Sequence, residues 1–329
     1  MMTFRNSNIR TQAGLTLVEI MVAITISLIL LAGIVQIFQS SKHSYNIQQA
    51  LARVQENARL MTDVMVRDIA TSGYLGCLGA TDEVVNTLSD ATGDYNFVAA
   101  IEGVEGGAGA SDSIIIRSVS EATAIPVTEP MTSLQAPVQL DKDHMNYGSL
   151  QQWDIVTVSD CAGAAVFMIT NDPAGSNGVI QHAASVTATA GANTGQSNAT
   201  DDLQRIFGAQ TASTAKIYRV GTTSYQVQPS SAGRPTTSLF VTPGGELVEG
   251  VEDLQIQYGL GSTPPNATTP AIAEQYVDAD EVTDWNDVIA VRVTFVVNSV
   301  DMVVNPGEGD GLLRKTFNTT IRLRNRAPA

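Results

Sequence analysis

Glu19 is the side chain whose surroundings most constrain its chemistry. It stands five residues after Gly14, at the head of an apolar run that reads "GLTLVEIMVAITISLILLAGIVQIF". A carboxylate inside a bilayer costs around 2.5–3.5 kcal/mol on insertion scales and is usually functional or paired. Its place near the start of the run permits some snorkelling, which lowers that cost. Cys77 and Cys161 are the two cysteines. Outside the cytoplasm an oxidised pair is the expectation, and closing a loop of about 80 residues stabilises by about 4 kcal/mol in the chain-entropy model. Two buried free thiols are the alternative. His43, His144 and His182 sit in unrelated contexts and read as surface residues, not ligands. In "DADEVTDWND" at 278–287, Asp278, Asp280, Glu281, Asp284 and Asp287 offer the hard oxygens that calcium takes. Val282 occupies an EF-hand ligand position and no loop glycine follows, so the run reads as a solvated turn, with calcium as the alternative. Glycines 103, 106, 107 and 109 are wrongly spaced for a nucleotide loop. No nucleophile elbow, P-loop or zinc-protease motif occurs. The chain therefore reads as a non-enzyme, with no catalytic, cofactor-binding or metal-binding residues expected.

The elements that must position Glu19 follow from hydropathy. As a helix, Ile20 to Phe38 would span roughly 28 Å, close to the ~30 Å hydrocarbon core of a bilayer. Arg5 and Arg10 precede the run and Lys42 is the first cation after it. The positive-inside rule then puts the N-terminus in the cytoplasm and the bulk outside. A small-residue cleavage site after the run, as a secretory signal needs, is missing. The small residues Ala13 and Gly14 come before it instead. A plain uncleaved anchor leaves Glu19 unexplained.

The helix should continue beyond the apolar run. Ile47, Leu51, Val54, Ala58, Met61, Met65 and Ile69 recur at steps of three or four, and Ser72 and Gly73 supply a stop. A coiled coil competes for that stripe, but alanine at core positions favours packing on a sheet. Beyond Tyr74, short apolar or alternating runs separated by Gly, Pro, Asn and Asp predict antiparallel strands. They fall at 113–119, 154–159, 165–170, 215–220, 237–242, 252–260, 288–297 and 315–324. Val291, Val293, Phe295 and Val297 should share one face, as should Phe317, Thr319, Ile321 and Leu323. The stretches 102–111, 183–200 and 261–271 read as loops, and the poorly patterned 120–215 reads as a candidate insertion. Arg322, Arg324 and Arg326 alternate on a face of the last strand, read as a solvated edge. The net charge of −15 argues against a nucleic-acid-binding surface.

The stretch "GLTLVEIMVAITISLILLAGIV" resembles the class III signal of type IV pilins and type II secretion pseudopilins. That resemblance implies cleavage between Gly14 and Leu15 by a prepilin peptidase, N-methylation of Leu15, and a helix retained in the mature protein. Leu15 departs from the phenylalanine commonest at that position. Glu19, fifth in the mature chain, would pair inside a filament with the new α-amine of a neighbouring subunit and set its axial register. Towards the C-terminus, "GVEDLQIQYGL", "DWNDVIAVRVTFVV" and "TFNTTIRLRNR" resemble the PilW minor pilins and more distantly GspJ-type pseudopilins, as does "SGYLGC" after the helix.

The implied fold is α+β and pilin-like: a long N-terminal helix packed on a C-terminal antiparallel β-sheet domain with long loops. Residues 1–14 would be the leader, 15–39 the transmembrane and filament-core helix, 40–72 an amphipathic helix and 73–329 a periplasmic or extracellular head. The implied role is assembly or initiation of a type IV pilus within a tip or priming complex, supporting twitching motility and adhesion. Implied partners are other minor pilins (PilV-, PilX-, FimT- or FimU-like), a PilY-type tip adhesin, the major pilin, the prepilin peptidase and the inner-membrane assembly platform. The protein would sit singly spanning the inner membrane before reaching the pilus or cell surface. A type II secretion pseudopilin and a singly anchored periplasmic binding protein are the alternatives.

Overall fold

The computed structural model describes residues 14, 16–78, 84–119, 121–208, 215–261, 272–303 and 309–325. By internal contacts the chain falls into two units, residues 1–52 with 301–313 and residues 53–300 with 314–329. One helix, α1 (Leu17–Thr71), contributes to both.

In the first unit α1 has no proline to break it, and its large apolar side chains face solvent: Leu17 is 75% exposed, Leu28 60% and Phe38 68%. A helix segment apolar on all sides and exposed along its length suits a lipid or protein surround, not water. By length and composition this part of the helix is long and apolar enough to cross a membrane.

In the second unit α1 becomes amphipathic. Val54, Ala58, Met61, Met65 and Ile69 are buried on the stripe side. Arg59 and Asp63 form an exposed pair at 3.7 Å one turn apart, worth a few tenths of a kcal/mol. Asn57 Nδ2 donates to the Glu249 carbonyl at 3.1 Å, and the Tyr225 hydroxyl donates to Asp68. The helix stops where Ser72 Oγ turns back to the Ile69 carbonyl at 2.8 Å and Gly73 takes a left-handed φ of 69°. The Gly73 amide then donates to Arg117 O, handing the chain to the sheet.

Fifteen strands are described. They are β1 (Val84–Asn86), β2 (Ile101–Val104), β3 (Ser113–Val119), β4 (Ile125–Glu129), β5 (Val138–Leu140), β6 (Ile155–Asp160), β7 (Gly163–Met168) and β8 (Val179–Ile180), followed by β9 (Lys216–Pro229), β10 (Thr237–Thr242), β11 (Gly245–Glu249), β12 (Val251–Gly261), β13 (Ala273–Val277), β14 (Val288–Asn298) and β15 (Arg314–Arg322). The long β9 organises the larger sheet. Its first part pairs with β6 and β4, its second with β3 and β10. The smaller sheet runs β13-β12-β14-β15 and is antiparallel throughout. Among the described residues, β1 with β7 is the parallel pair. In β14, Val291, Val293, Phe295 and Val297 are at most 1% exposed, and Ile321 and Leu323 continue that buried side from the last strand.

The structure corrects several expectations. Residues 120–215 are no insertion, because β4 to β8 belong to the larger sheet. Each residue of β6 and β7 is buried, so neither strand shows the polar alternation that marks a half-exposed strand. The expected loop at 102–111 begins inside β2, and the expected strand at 215–220 extends to Pro229. Of the expected loop at 261–271, residues 262–271 lie outside the described residues.

The stretch 183–200 is irregular but fastened by buried amides. Asn198, fully buried, donates to the Met168 carbonyl at 2.9 Å and accepts from the Met168 amide at 2.8 Å, imitating a neighbouring strand. Asn198→Ala leaves two buried backbone groups without partners and is expected to cost about 2–4 kcal/mol. Chemical denaturation of the two proteins checks this; a change below about 1 kcal/mol would refute the strand-mimic role.

His182 also departs from expectation, being buried at 3% exposure with its ring 5.0 Å from that of Phe167. Its Nε2 lies 3.0 Å from the Ala136 carbonyl. Burial lowers its pKa below the ordinary 6.5, with the Ala136 hydrogen bond and Asp201 opposing in part. The unfolded chain therefore binds the proton more readily than the folded one. His182 should be without effect on the pH dependence above about pH 6.5 and should draw stability down as pH falls below it. Melting temperatures at pH 7.5 and 5.5 should differ less in His182→Gln than in the parent; an equal difference would refute the assignment.

Candidate functional site: the N-terminal segment and its charge

Helix α1 begins with a cap. The Thr16 hydroxyl accepts from the Glu19 amide at 3.3 Å, and the Thr16 carbonyl accepts from the amides of Glu19 and Ile20. Thr16 and Glu19 thus stand at the first and last positions of the T-x-x-E pattern of a capping box. Sequence reasoning missed this cap, although its signal was present in "TLVE". Glu19 itself is exposed in the first turn of α1, where a negative charge complements the helix dipole by about 0.3–1 kcal/mol. From Ile20 to Ser41 no further ionisable side chain occurs. The carboxylate and the Lys42 ammonium are therefore separated by about 35 Å of helix.

Gly14 is exposed, and a Cβ added to it would meet nothing within 4 Å. Packing does not explain a glycine at this position. Leu15, expected to follow the cut, lies outside the described residues, as does the leader before Gly14.

The second constellation lies in the other unit. Cys77 and Cys161 are joined as a disulfide with Cα atoms 4.9 Å apart. Cys161 occupies the turn between β6 and β7, and Cys77 follows the C-terminus of α1. Both residues are exposed at the surface.

The acidic run at 278–287 builds turns. Asp278 Oδ1 accepts from Gln257 Nε2 at 3.2 Å, and Asp284 Oδ1 accepts from the Asn286 amide at 2.9 Å, capping a short 3₁₀ helix. Among the described residues no group of three His, Cys, Asp or Glu side chains is arranged to hold a metal ion. His43 is exposed, and His144 accepts the Asn146 amide through Nδ1 at 3.3 Å. At the end of β15, the Arg324 amide donates to the Ala70 carbonyl, while Arg326 lies outside the described residues.

Two family models match the chain. Residues 9–35, which contain Gly14 and Glu19, match the prokaryotic N-terminal methylation motif. Residues 217–325 match the family described as type IV pilus-assembly protein W, PilW. Together the two matches, one at each end of the chain, support a pilin of the PilW type. The PilW match covers nearly all of β9 and then β10 to β15, including the smaller sheet. A type IV-like pilin from Thermus thermophilus aligns over 84% of this chain and 98% of its own, at a TM-score of 0.33 and 12% identity. Comparison with curated proteins finds no match. The methylation motif and the apolar helix fit a membrane-anchored pilin.

Proposed function

We propose that this PilW-type pilin is a minor subunit acting in pilus assembly, within the complex that initiates the filament or forms its tip. The observation that carries the reading is Glu19, a lone carboxylate at the head of an exposed apolar helix face directly behind Gly14. In this proposal a prepilin peptidase cuts between Gly14 and Leu15, and Leu15 is methylated on its new amine. The helix then holds the subunit in the inner membrane, with residues 73–329 as the periplasmic head, until neighbouring apolar helices replace the lipid. In the filament core the Glu19 carboxylate meets the α-amine of an adjoining subunit. Each charge offsets the burial of the other, and the pair fixes register. Other minor pilins, the major pilin, a tip adhesin and the inner-membrane platform are the partners proposed, with twitching motility and adhesion as the downstream outputs. The PilW match in the C-terminal part favours a pilus over a type II secretion system.

The test is mass spectrometry of the N-terminal peptide from protein extracted from its native membrane. The expected peptide begins at Leu15 and carries one extra methyl group. A terminus upstream of Gly14 on the mature protein would overturn the proposal.

A further inference from the structure

Within the second unit, strands β6 and β9 and the segments around residues 95 and 193 line an open cleft of about 550 Å³, inside the size range of small-molecule sites. Its lining brings the aromatic residues Tyr95 and Trp153 together with the polar residues Gln151, Asn193, Asp154 and Arg219. These positions are held in place. Trp153 has a left-handed φ of 75°, a conformation in which a bulky side chain is a real outlier. It persists because both backbone groups are fastened: the Trp153 amide donates to Ile169 O at 2.9 Å, and its carbonyl accepts from Asn193 Nδ2 at 2.9 Å. Glycine would occupy that backbone without penalty, so an aromatic kept there under strain points to a use for the ring. The indole packs on the core around Phe97 and Met168 and remains half-buried.

The charges define what can enter. Asp154 is engaged by Arg219 Nη2 at 3.2 Å and by the Gln151 amide at 3.0 Å. Asp94 is then left as an acidic lining group in a chain already carrying −15. Asp94 repels anions, while the Arg219–Asp154 pair leaves the rest of the lining without net charge. Amides and carboxylates on the walls exclude a purely apolar guest, because entry would strip their water without replacement. A neutral ring with a C–H face and a rim of hydroxyls satisfies both kinds of wall. It lays its face on the indole and exchanges hydroxyl hydrogen bonds with side chains that both donate and accept. The geometry points to a binding site for neutral saccharides in the head of this protein. Most of the lining, at residues 94–97, 151–155 and 191–193, lies outside the stretch that matches the PilW family. The inference stands independently of the proposed place in a filament.

The experiment uses the full chain in a detergent without sugar headgroups, carrying Trp285→Phe so that Trp153 is the remaining tryptophan reporter. Neutral mono- and oligosaccharides, sialylated glycans and choline are titrated against its fluorescence. A saturable change with at least one neutral saccharide is expected. Quenching of Trp153 is lost in Trp153→Gly by construction, so affinity for that variant is read by saturation-transfer NMR and should fall at least roughly tenfold, the loss of a buried aromatic anchor. Gln151→Ala alters an exposed side chain and should weaken binding several-fold with an unchanged melting temperature, which keeps the test open if Trp153→Gly fails to fold. No response to any neutral saccharide up to tens of millimolar overturns the inference. So does a response confined to sialylated glycans or choline, or unchanged affinity in Gln151→Ala together with any folded Trp153→Gly.

Discussion

Glutamine at position 19 is expected to keep the protein out of filaments while leaving its insertion into the membrane intact. The size of the effect separates the two roles open to this carboxylate. As a helix-capping and dipole-complementing group, Glu19 contributes about 1 kcal/mol, roughly a fivefold change in any equilibrium. As half of a buried ion pair, its removal strands the partner ammonium in an apolar core at about 3–5 kcal/mol, a hundredfold or more. Thr16→Ala removes the hydroxyl that accepts the Glu19 amide and keeps the charge, so it should lower incorporation little. Glu19→Asp keeps the charge one methylene short and should recover part of the lost assembly. The measurement is the ratio of protein in sheared filaments to protein in the membrane fraction, in cells lacking the native copy. Parental incorporation of Glu19→Gln, or equal losses in Thr16→Ala and Glu19→Gln, would remove the ion-pair role.

What made Glu19 legible was contrast, one charge against an apolar run, which needs no knowledge of tertiary contacts. The same holds for strands with one solvated face. The runs at 113–119 and 237–242 coincide with β3 and β10, the run at 252–260 falls one residue short of β12 at each end, and that at 288–297 falls one short of β14 at its C-terminal end. Patterning failed where burial is two-sided. Val156, Thr157, Val158 and Ser159 are all buried in β6, so polar and apolar residues there meet the same protein surround, and period-two alternation carries no information. It failed again where a side chain takes a backbone's part, as Asn198 does for Met168, because a buried asparagine and a loop asparagine read alike. The second part of β9, "GTTSYQVQP", is rich in Thr, Ser and Gln and is recruited by its neighbours β3 and β10, not by an apolar stripe of its own. Trp153 shows the limit most plainly. Its positive φ is imposed by Ile169 and Asn193, partners 16 and 40 positions away, and nothing in the local sequence announces it.

Removing the Cys77–Cys161 bridge should produce the largest loss of stability among single covalent changes to the head. The closed loop has a sequence separation of 84, so the unfolded chain regains about 4 kcal/mol of conformational freedom in the chain-entropy model. At roughly 2–4 °C per kcal/mol for a domain of this size, the melting temperature should fall by about 10 °C. The position of the bridge adds a local consequence. Residues 72–78 leave the end of α1 held by the Gly73 amide on Arg117 O, by the Tyr74 carbonyl accepting from the Val119 amide and by Leu75 buried beside Val119 and Tyr218. The bridge ties that exit to the turn of the β6–β7 hairpin, whose strands are buried throughout. Without it, fluctuations of the exit segment are no longer confined by the hairpin, and amide exchange should rise at residues 73–78 before it rises in β6 or β7. Because both cysteines are exposed, a reductant reaches the bridge in the folded protein, and the Cys77→Ser/Cys161→Ser double variant should match the reduced parent. Equal melting temperatures with and without reductant, after thiol titration has shown the bridge open, would mean that core packing alone holds the helix exit in place.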